Sequence, residues 1–287
     1  MVHPVVAYHR ANPGPVQRSP EWYALRTTCL SASNIGQALG LSKYGKPEET
    51  MARYCGWEKP MDPMGVEACS HGTKWEDYIR IYHEKRIGEK IEEFSLVKHP
   101  VHAWLGGSPD GISVESGILC EYKAPLRRKL IQGEVPPHYH AQIQILLEIF
   151  GLEECHYIEL KPADVFNTEK DEVNFVVVKR DRAWFAEQLP KLKAFWERVQ
   201  LLRHQGAKAW IEELVPEKDQ REAAMYMLDK RRREDNELWQ FYCDLGHGGS
   251  RPTRKRKTAD VTVSCLDLSI GVEDPTAVAV AMMSDDE

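Results

Sequence analysis

In the N-terminal third of the chain, apolar side chains recur at helical spacing between glycine and proline breaks. SASNIGQALG (31–40) predicts a short helix with Ser31 or Ser33 as N-cap and Gly40 as its stop. PEETMARYCG (47–56) predicts a second, with Pro47 in its first turn and Gly56 at its end. SHGTKWEDYIRIYHEKRIG (70–88) is longer and amphipathic. Trp75, Tyr78, Ile79 and Tyr82 form its apolar stripe, and Glu76 lies at the stripe's edge. The period then shortens. ISV (112–114) and ILCEYK (118–123) flank Glu115-Ser116-Gly117, which predicts a hairpin.

Behind Pro136 and Pro137, HYHAQIQILLEIFG predicts a helix that stops at Gly151. CHYIEL (155–160) and NFVVVKR (174–180) read as strands, the valine-rich second one as buried. A strand, helix, strand order from 118 to 160 requires a crossover, with the helix on one face of the sheet. DRAWFAEQLPKLKAFWERVQLLR (181–203) reads as a helix kinked or split at Pro190. Further on, residues 217–245 form a charge-laced helical pattern ending near Gly246.

These elements divide the chain into a flexible N-terminal arm (1–20), a compact α/β domain (21–205), a helical extension (206–246) and a flexible tail (247–287). The length, 287 residues, suits one large domain with appendages. Hydrophobic residues make up 42%, enough for a sizeable core. The formal charge is −6, so binding to nucleic acid requires a local basic surface and not a global field. No apolar run reaches membrane-spanning length, and MVHPVVAYHR lacks the basic-then-apolar pattern of a secretory signal. The seven cysteines are scattered, without C-x-x-C, as expected for free thiols in a reducing compartment. His138 and His140 find no third ligand at zinc spacing, and the cysteines are too dispersed for an iron–sulfur cluster.

Candidate chemistry lies in the hairpin. Residues two apart on a strand share a face, so Glu121 and Lys123 point together, with Ile118, Cys120 and Tyr122 opposite. Asp110 opens the neighbouring strand and approaches Glu121 across the pair. Crowded carboxylates repel unless a cation compensates, and Mg²⁺ takes one or two carboxylates plus waters and phosphate. Lys123 is placed to orient a water or to stabilise charge on a phosphate oxygen. Alone, E-x-K fits a solvated ion pair, and an acid before glycine fits a plain turn. Together, Pro109-Asp110 and Glu121-x-Lys123 form the PD-(D/E)-x-K arrangement.

Five motifs in order extend the match: EWYALRTTCLSASNIGQALG, GTKWEDYIR, GSPDG, CEYKAP and HYHAQIQ. Over about residues 22–160 the chain resembles the YqaJ viral recombinase family, the family of lambda exonuclease. The resemblance implies an α/β, restriction-endonuclease-like core, a central mixed β-sheet flanked by helices, with the helical extension added at its C-terminal side. It implies metal ligation by Asp110, Glu121 and the Tyr122 carbonyl, with Glu76 on a second ion or its waters. Lys123 would act at the attacking water, and Gln142 would hold the catalytic group. Arg26 and Ser33 match the positions that hold a DNA 5′-phosphate. A guanidinium fork and a helix start both suit an anion.

The implied activity is metal-dependent hydrolysis of linear duplex DNA, 5′ to 3′, in recombination or DNA processing. Mg²⁺, with Mn²⁺ as substitute, would supply two ions per site. Implied partners are double-stranded DNA, a single-strand annealing protein and a homotrimer, without a membrane. Two alternatives stay open: a related nuclease acting on flaps, single strands or internal sites, and a weakly active DNA-binding scaffold. Arg127, Arg128 and Lys129 offer phosphate contacts beside the site. The localisation expected is intracellular, cytoplasmic or nuclear, and RKRK (254–257) reads equally as a nuclear signal, a DNA contact or a solvated charge run.

Overall fold

The computed structural model describes residues 1–230 and 236–245. Two short helices lead in: α1 (Pro4–Ala11), capped by His3, and α2 (Pro20–Thr27), capped by Ser19. The segment expected as a loose arm is therefore structured in part, and Val6 is fully buried in the main core. Proline at the first turn of each helix fixes φ where no amide bond is lost. Strand β1 (Leu30–Ser31) runs directly into α3 (Ala32–Ala38), and α4 (Pro47–Cys55) ends at left-handed Gly56. Helix α5 spans Pro63–Ile87, a full two turns earlier than periodicity predicts. The signal is Asp62-Pro63: the Asp62 carboxylate accepts from the Gly65 amide, and Pro63 occupies the first helical position.

Short strands β2 (Ile91–Glu92), β3 (Val97–Lys98) and β4 (Leu105–Gly107) precede the hairpin strands β5 (Gly111–Ser113) and β6 (Leu119–Lys123). Helix α6 (Pro137–Phe150) crosses to β7 (Glu154–Lys161), which lies parallel to β6, as the crossover requires. A short helix α7 (Ala163–Phe166) and strand β8 (Glu172–Lys179) follow. The larger sheet is mixed, in the order β2-β5-β6-β7-β8; a smaller one runs β1-β4-β3. Strand β8 is an edge strand and is only partly buried, with Val177 45% exposed. Its valines follow β propensity, which does not distinguish edge from centre.

Helix α8 (Arg182–Gln205) runs unbroken through Pro190. Pro190 is exposed, so the carbonyl left without an amide partner faces water, while Phe185, Leu192, Phe195, Trp196, Val199 and Leu202 keep one buried stripe. Helices α9 (Ala207–Leu214), α10 (Glu217–Lys230) and α11 (Asn236–Asp244) make up the extension and share a core with Ala52, Trp57 and Leu202. No helix among the described residues is long and apolar enough to cross a membrane. The tail, with RKRK (254–257) and Cys265, lies outside the described residues. Every described cysteine is free.

Two close approaches set the geometry around the site. A Cβ on Gly36 of α3 would fall 2.4 Å from the His138 Cβ on α6, and one on Gly107 would fall 2.6 Å from Leu146. Glycine lets both helices reach contact distance there. On the other side, Glu159 of β7 is buried, accepts from Arg128 and the Tyr157 hydroxyl, and receives the Asn174 amide at 3.1 Å. Arg128 is thus committed to a buried carboxylate, whereas Arg127 makes only an exposed pair with Glu67, of the kind that is worth little. Removing one member of a buried pair strands the other. Arg128→Ala should lower unfolding free energy by about 3–5 kcal/mol, read from urea denaturation.

Candidate active site

Strand β6 carries two faces of different chemistry. Leu119, Glu121 and Lys123 face α6, whereas Cys120 and Tyr122 pack with Ile79 of α5 and Ile158 of β7. Glu121 is completely buried. Its Oε1 accepts from Gln142 Nε2 at 2.7 Å and from the Lys123 ammonium. Its Oε2 is buried with no hydrogen-bond partner. Asp110, on the turn from β4 into β5, accepts from the Tyr122 amide at 2.6 Å and lies 3.8 Å from Lys123 Nζ. The Tyr122 carbonyl accepts from Lys123 at 2.9 Å, and the Lys123 ammonium sits 5.2 Å from the Tyr139 ring centre.

Charge is badly balanced at this point. Burial, then the Asp110 charge, pushes the Glu121 carboxyl up to about 8, against the pull of Lys123. Burial and Asp110 likewise push Glu76 up to about 7, with Lys123 and Arg18 opposing. Burial works against the Lys123 charge, but Glu121 and Asp110 outweigh it and hold the ammonium above its ordinary range. Two acids that retain a proton near neutrality beside a committed ammonium form a site short of positive charge. Arg18, which sequence reasoning passed over, lies 3.9 Å from Glu76 but is largely exposed.

Among the described residues, no three His, Cys, Asp or Glu side chains form a ready-made cage. A hard divalent ion such as Mg²⁺ keeps several waters and takes few carboxylates. The unpartnered Glu121 Oε2, Asp110 and the Tyr122 carbonyl are the donors that fit such an ion, with Glu76 facing from α5.

The second group, Arg26 and Ser33, forms where α2, β1 and α3 meet. Arg26 Nη2 donates to Ser33 Oγ at 2.7 Å, and Ser31 Oγ lies 3.3 Å from Ser33 Oγ. The guanidinium stacks 5.0 Å from the Trp22 ring centre, and its Nε is buried without a partner. No carboxylate pairs with Arg26 among the described residues. Tyr54, carrying no sequence signal, braces the loop: its hydroxyl accepts from the Ser31 amide at 2.8 Å and from Asn34 at 3.0 Å. Arg203 of α8 ties the carbonyls of Tyr54 and Thr27 together. The parallel pairing of Ser31 with Gly106 connects this lobe to the segment bearing Asp110.

Residues 21–153 match the family model of the YqaJ-like viral recombinase domain. This stretch, just under half of the chain, resembles that domain. Curated viral relatives include an uncharacterized protein, R354, of Acanthamoeba polyphaga mimivirus, 27% identical over 161 residues, covering 50% of this chain and 29% of the relative. Protein D345L of African swine fever virus is 28% identical over 161 residues, covering 45% of each. The chain thus spans less than half the length of these relatives. Among solved structures, an alkaline exonuclease from Laribacter hongkongensis superposes with a TM-score of 0.53 at 24% identity, covering 65% of this chain and 95% of that one. A phage-related exonuclease from Haemophilus somnus gives 0.50 at 10% identity, covering 64% and 99%. The YqaJ-like domain therefore has the fold of these nucleases, a mixed sheet flanked by helices.

An acid whose folded pKa is raised stabilises the fold when protonated, and that contribution fades as pH rises from about 4.5 through its folded value. Metal-free protein should therefore lose this contribution between about pH 5 and pH 8. Glu121→Gln removes the titrating group from the buried site. It should raise stability by on the order of 2 kcal/mol at pH 8.5, with the gain shrinking towards pH 5, read by thermal denaturation in chelator.

Proposed function

We propose that the YqaJ-like domain is a divalent-metal-dependent deoxyribonuclease that shortens linear duplex DNA from a 5′ end. The observation that carries this reading is the buried, half-partnered Glu121 carboxylate, set with Asp110, Lys123, Gln142 and Glu76 in a cluster short of positive charge. Asp110, Glu121 and the Tyr122 carbonyl would hold Mg²⁺ or Mn²⁺, with Glu76 towards a second ion. Such ions lower the pKa of a bound water and neutralise charge on a phosphodiester in flight.

This chain's own residues supply the rest. Lys123, held by Glu121 and Asp110, presents an ammonium to orient the attacking water and to meet charge on a phosphate oxygen. Gln142 fixes Glu121 Oε1, so that the other oxygen stays free for the cation. Arg26 and Ser33 bind the 5′-phosphate through a charge-assisted fork and a hydroxyl beside the α3 start. A terminal-phosphate grip separates an end-directed enzyme from one that cuts internally. The solved alkaline exonuclease from Laribacter hongkongensis has been captured with dAMP, a nucleotide bearing a 5′-phosphate, which supports the same ligand class here. A homotrimer and service to a single-strand annealing protein in recombination rest on the family resemblance and complete the proposal.

With Mg²⁺, the protein should shorten end-labelled linear duplex and spare covalently closed circles; equal digestion of both would defeat the end-directed reading. Lys123→Ala should reduce cleavage by at least about a thousandfold while DNA binding persists, measured by single-turnover kinetics and band shift. Arg26→Ala should erase the preference for a 5′-phosphate over a 5′-hydroxyl. Unchanged discrimination in that variant would remove Arg26 from the pocket.

A further inference from the structure

The catalytic strand is also gripped from its opposite face, by a buried polar chain that the reaction does not use. The Tyr122 hydroxyl lies 2.9 Å from His83 Nδ1 on α5. His83 Nε2 lies 2.8 Å from His156 Nδ1 on β7, and His156 Nε2 lies 3.1 Å from Glu154, which pairs with Lys179 on β8. One direction of donation satisfies every partner with both rings neutral. Tyr122 O–H donates to His83, His83 Nε2–H donates to His156, and His156 Nε2–H donates to the Glu154 carboxylate. His83 is fully buried, and the His83 and His156 rings lie against Phe175.

A chain of this length inside an apolar layer costs desolvation at each ring, and apolar residues would fill the same space more cheaply. What it adds is register. Glu76, Ile79 and His83 lie at spacings of three and four along α5, hence on one face. Ile79 is an apolar contact that tolerates sliding, whereas a hydrogen bond at 2.9 Å to one hydroxyl does not. A slip of α5 by one residue moves it 1.5 Å along its axis and turns it by about 100°, which swings Glu76 away from Asp110. Tyr122 itself belongs to the site through its main chain, since its amide holds Asp110 and its carbonyl holds Lys123.

We infer that His83 is a positioning residue. By accepting the Tyr122 hydroxyl it locks α5 in register against the catalytic strand and so delivers Glu76 to the cation site on the far side. This rests on the metal site proposed above, and adds to it the device that sets its third carboxylate in place. Nothing in the chemistry requires His83 to exchange a proton or to touch substrate.

The test is calorimetric titration of the full chain with Mn²⁺ alone, run beside cleavage of linear duplex. Tyr122→Phe, which removes the hydroxyl, and His83→Gln, whose amide takes the place of Nε2 and leaves the Nδ1 position empty, should each weaken Mn²⁺ binding about tenfold. His83→Asn, whose amide oxygen replaces Nδ1, should stay within about twofold of the parent. In a Glu76→Gln background, Tyr122→Phe should cost nothing further, because the group it positions is gone. A purely structural role predicts the opposite: His83→Asn as weak as His83→Gln, and a Tyr122→Phe loss undiminished beside Glu76→Gln. Either result, or unchanged affinity in Tyr122→Phe, overturns the inference. Parent protein that takes up no Mn²⁺ overturns it together with the metal reading. Mn²⁺ binding without DNA cleavage defeats only the nuclease proposal, and the affinities still decide the role of His83.

Discussion

A carboxylate with no exposure to water and one oxygen without a partner is an expensive thing to build into a sheet. Desolvation and the neighbouring Asp110 both oppose the charge on Glu121, and Lys123 compensates only part of it. Much of the surrounding structure follows from holding that group. Gln142 must reach Glu121 from α6, so α6 must press on the strand, and Gly36 and Gly107 allow α3, β4 and α6 to meet closely enough. Asp110 must stand beside it, which the antiparallel pairing of Gly111 with Cys120 ensures. The local destabilisation is of the kind expected where function, and not folding, selects the residues.

The two faces of β6 divide the labour. Towards α6 stand Glu121 and Lys123, the groups assigned above to the reaction, with the cations of Lys123 and Arg128 both over the Tyr139 ring. Towards α5 stands Tyr122, which ends in the histidine chain. Alternation along the strand puts these on opposite sides. The main chain of Tyr122 nonetheless couples them, because Asp110 and Lys123 both bond to its peptide groups. A disturbance behind the sheet therefore reaches the site through one residue without crossing the core.

The motif residues and the elements around them were legible in the sequence because their signals are local. Alternation gives the β5–β6 hairpin, Pro137 and Gly151 bracket α6, and the crossover order dictates the parallel β6–β7 pair. What escaped depends on contacts distant in sequence. His83 and His156 are 73 residues apart, and neither has a pattern that marks it. Tyr54 braces the Ser31 loop through a hydroxyl that propensity does not report. The edge position of β8 was hidden since valine reads alike at an edge and in the centre, and sheet order is a tertiary fact. The two extra turns of α5 were legible in Asp62-Pro63 but lay outside its apolar stripe.

Arg26 and Arg128 show why residue type and placement in a motif do not suffice to assign a phosphate contact. Both are arginines close to the candidate site, and both stack on an aromatic ring, Trp22 and Tyr139 respectively. Arg128 ends on Glu159, a carboxylate buried in β7, so its charge is spent inside the protein and its loss would strand an acid. Arg26 ends on the neutral hydroxyl of Ser33 and leaves Nε without a partner. A guanidinium that is largely desolvated yet bonded only to a hydroxyl keeps its attraction for an anion, and burial magnifies that attraction. The partner each arginine already has, and not the arginine itself, determines which of the two keeps charge to offer an anion.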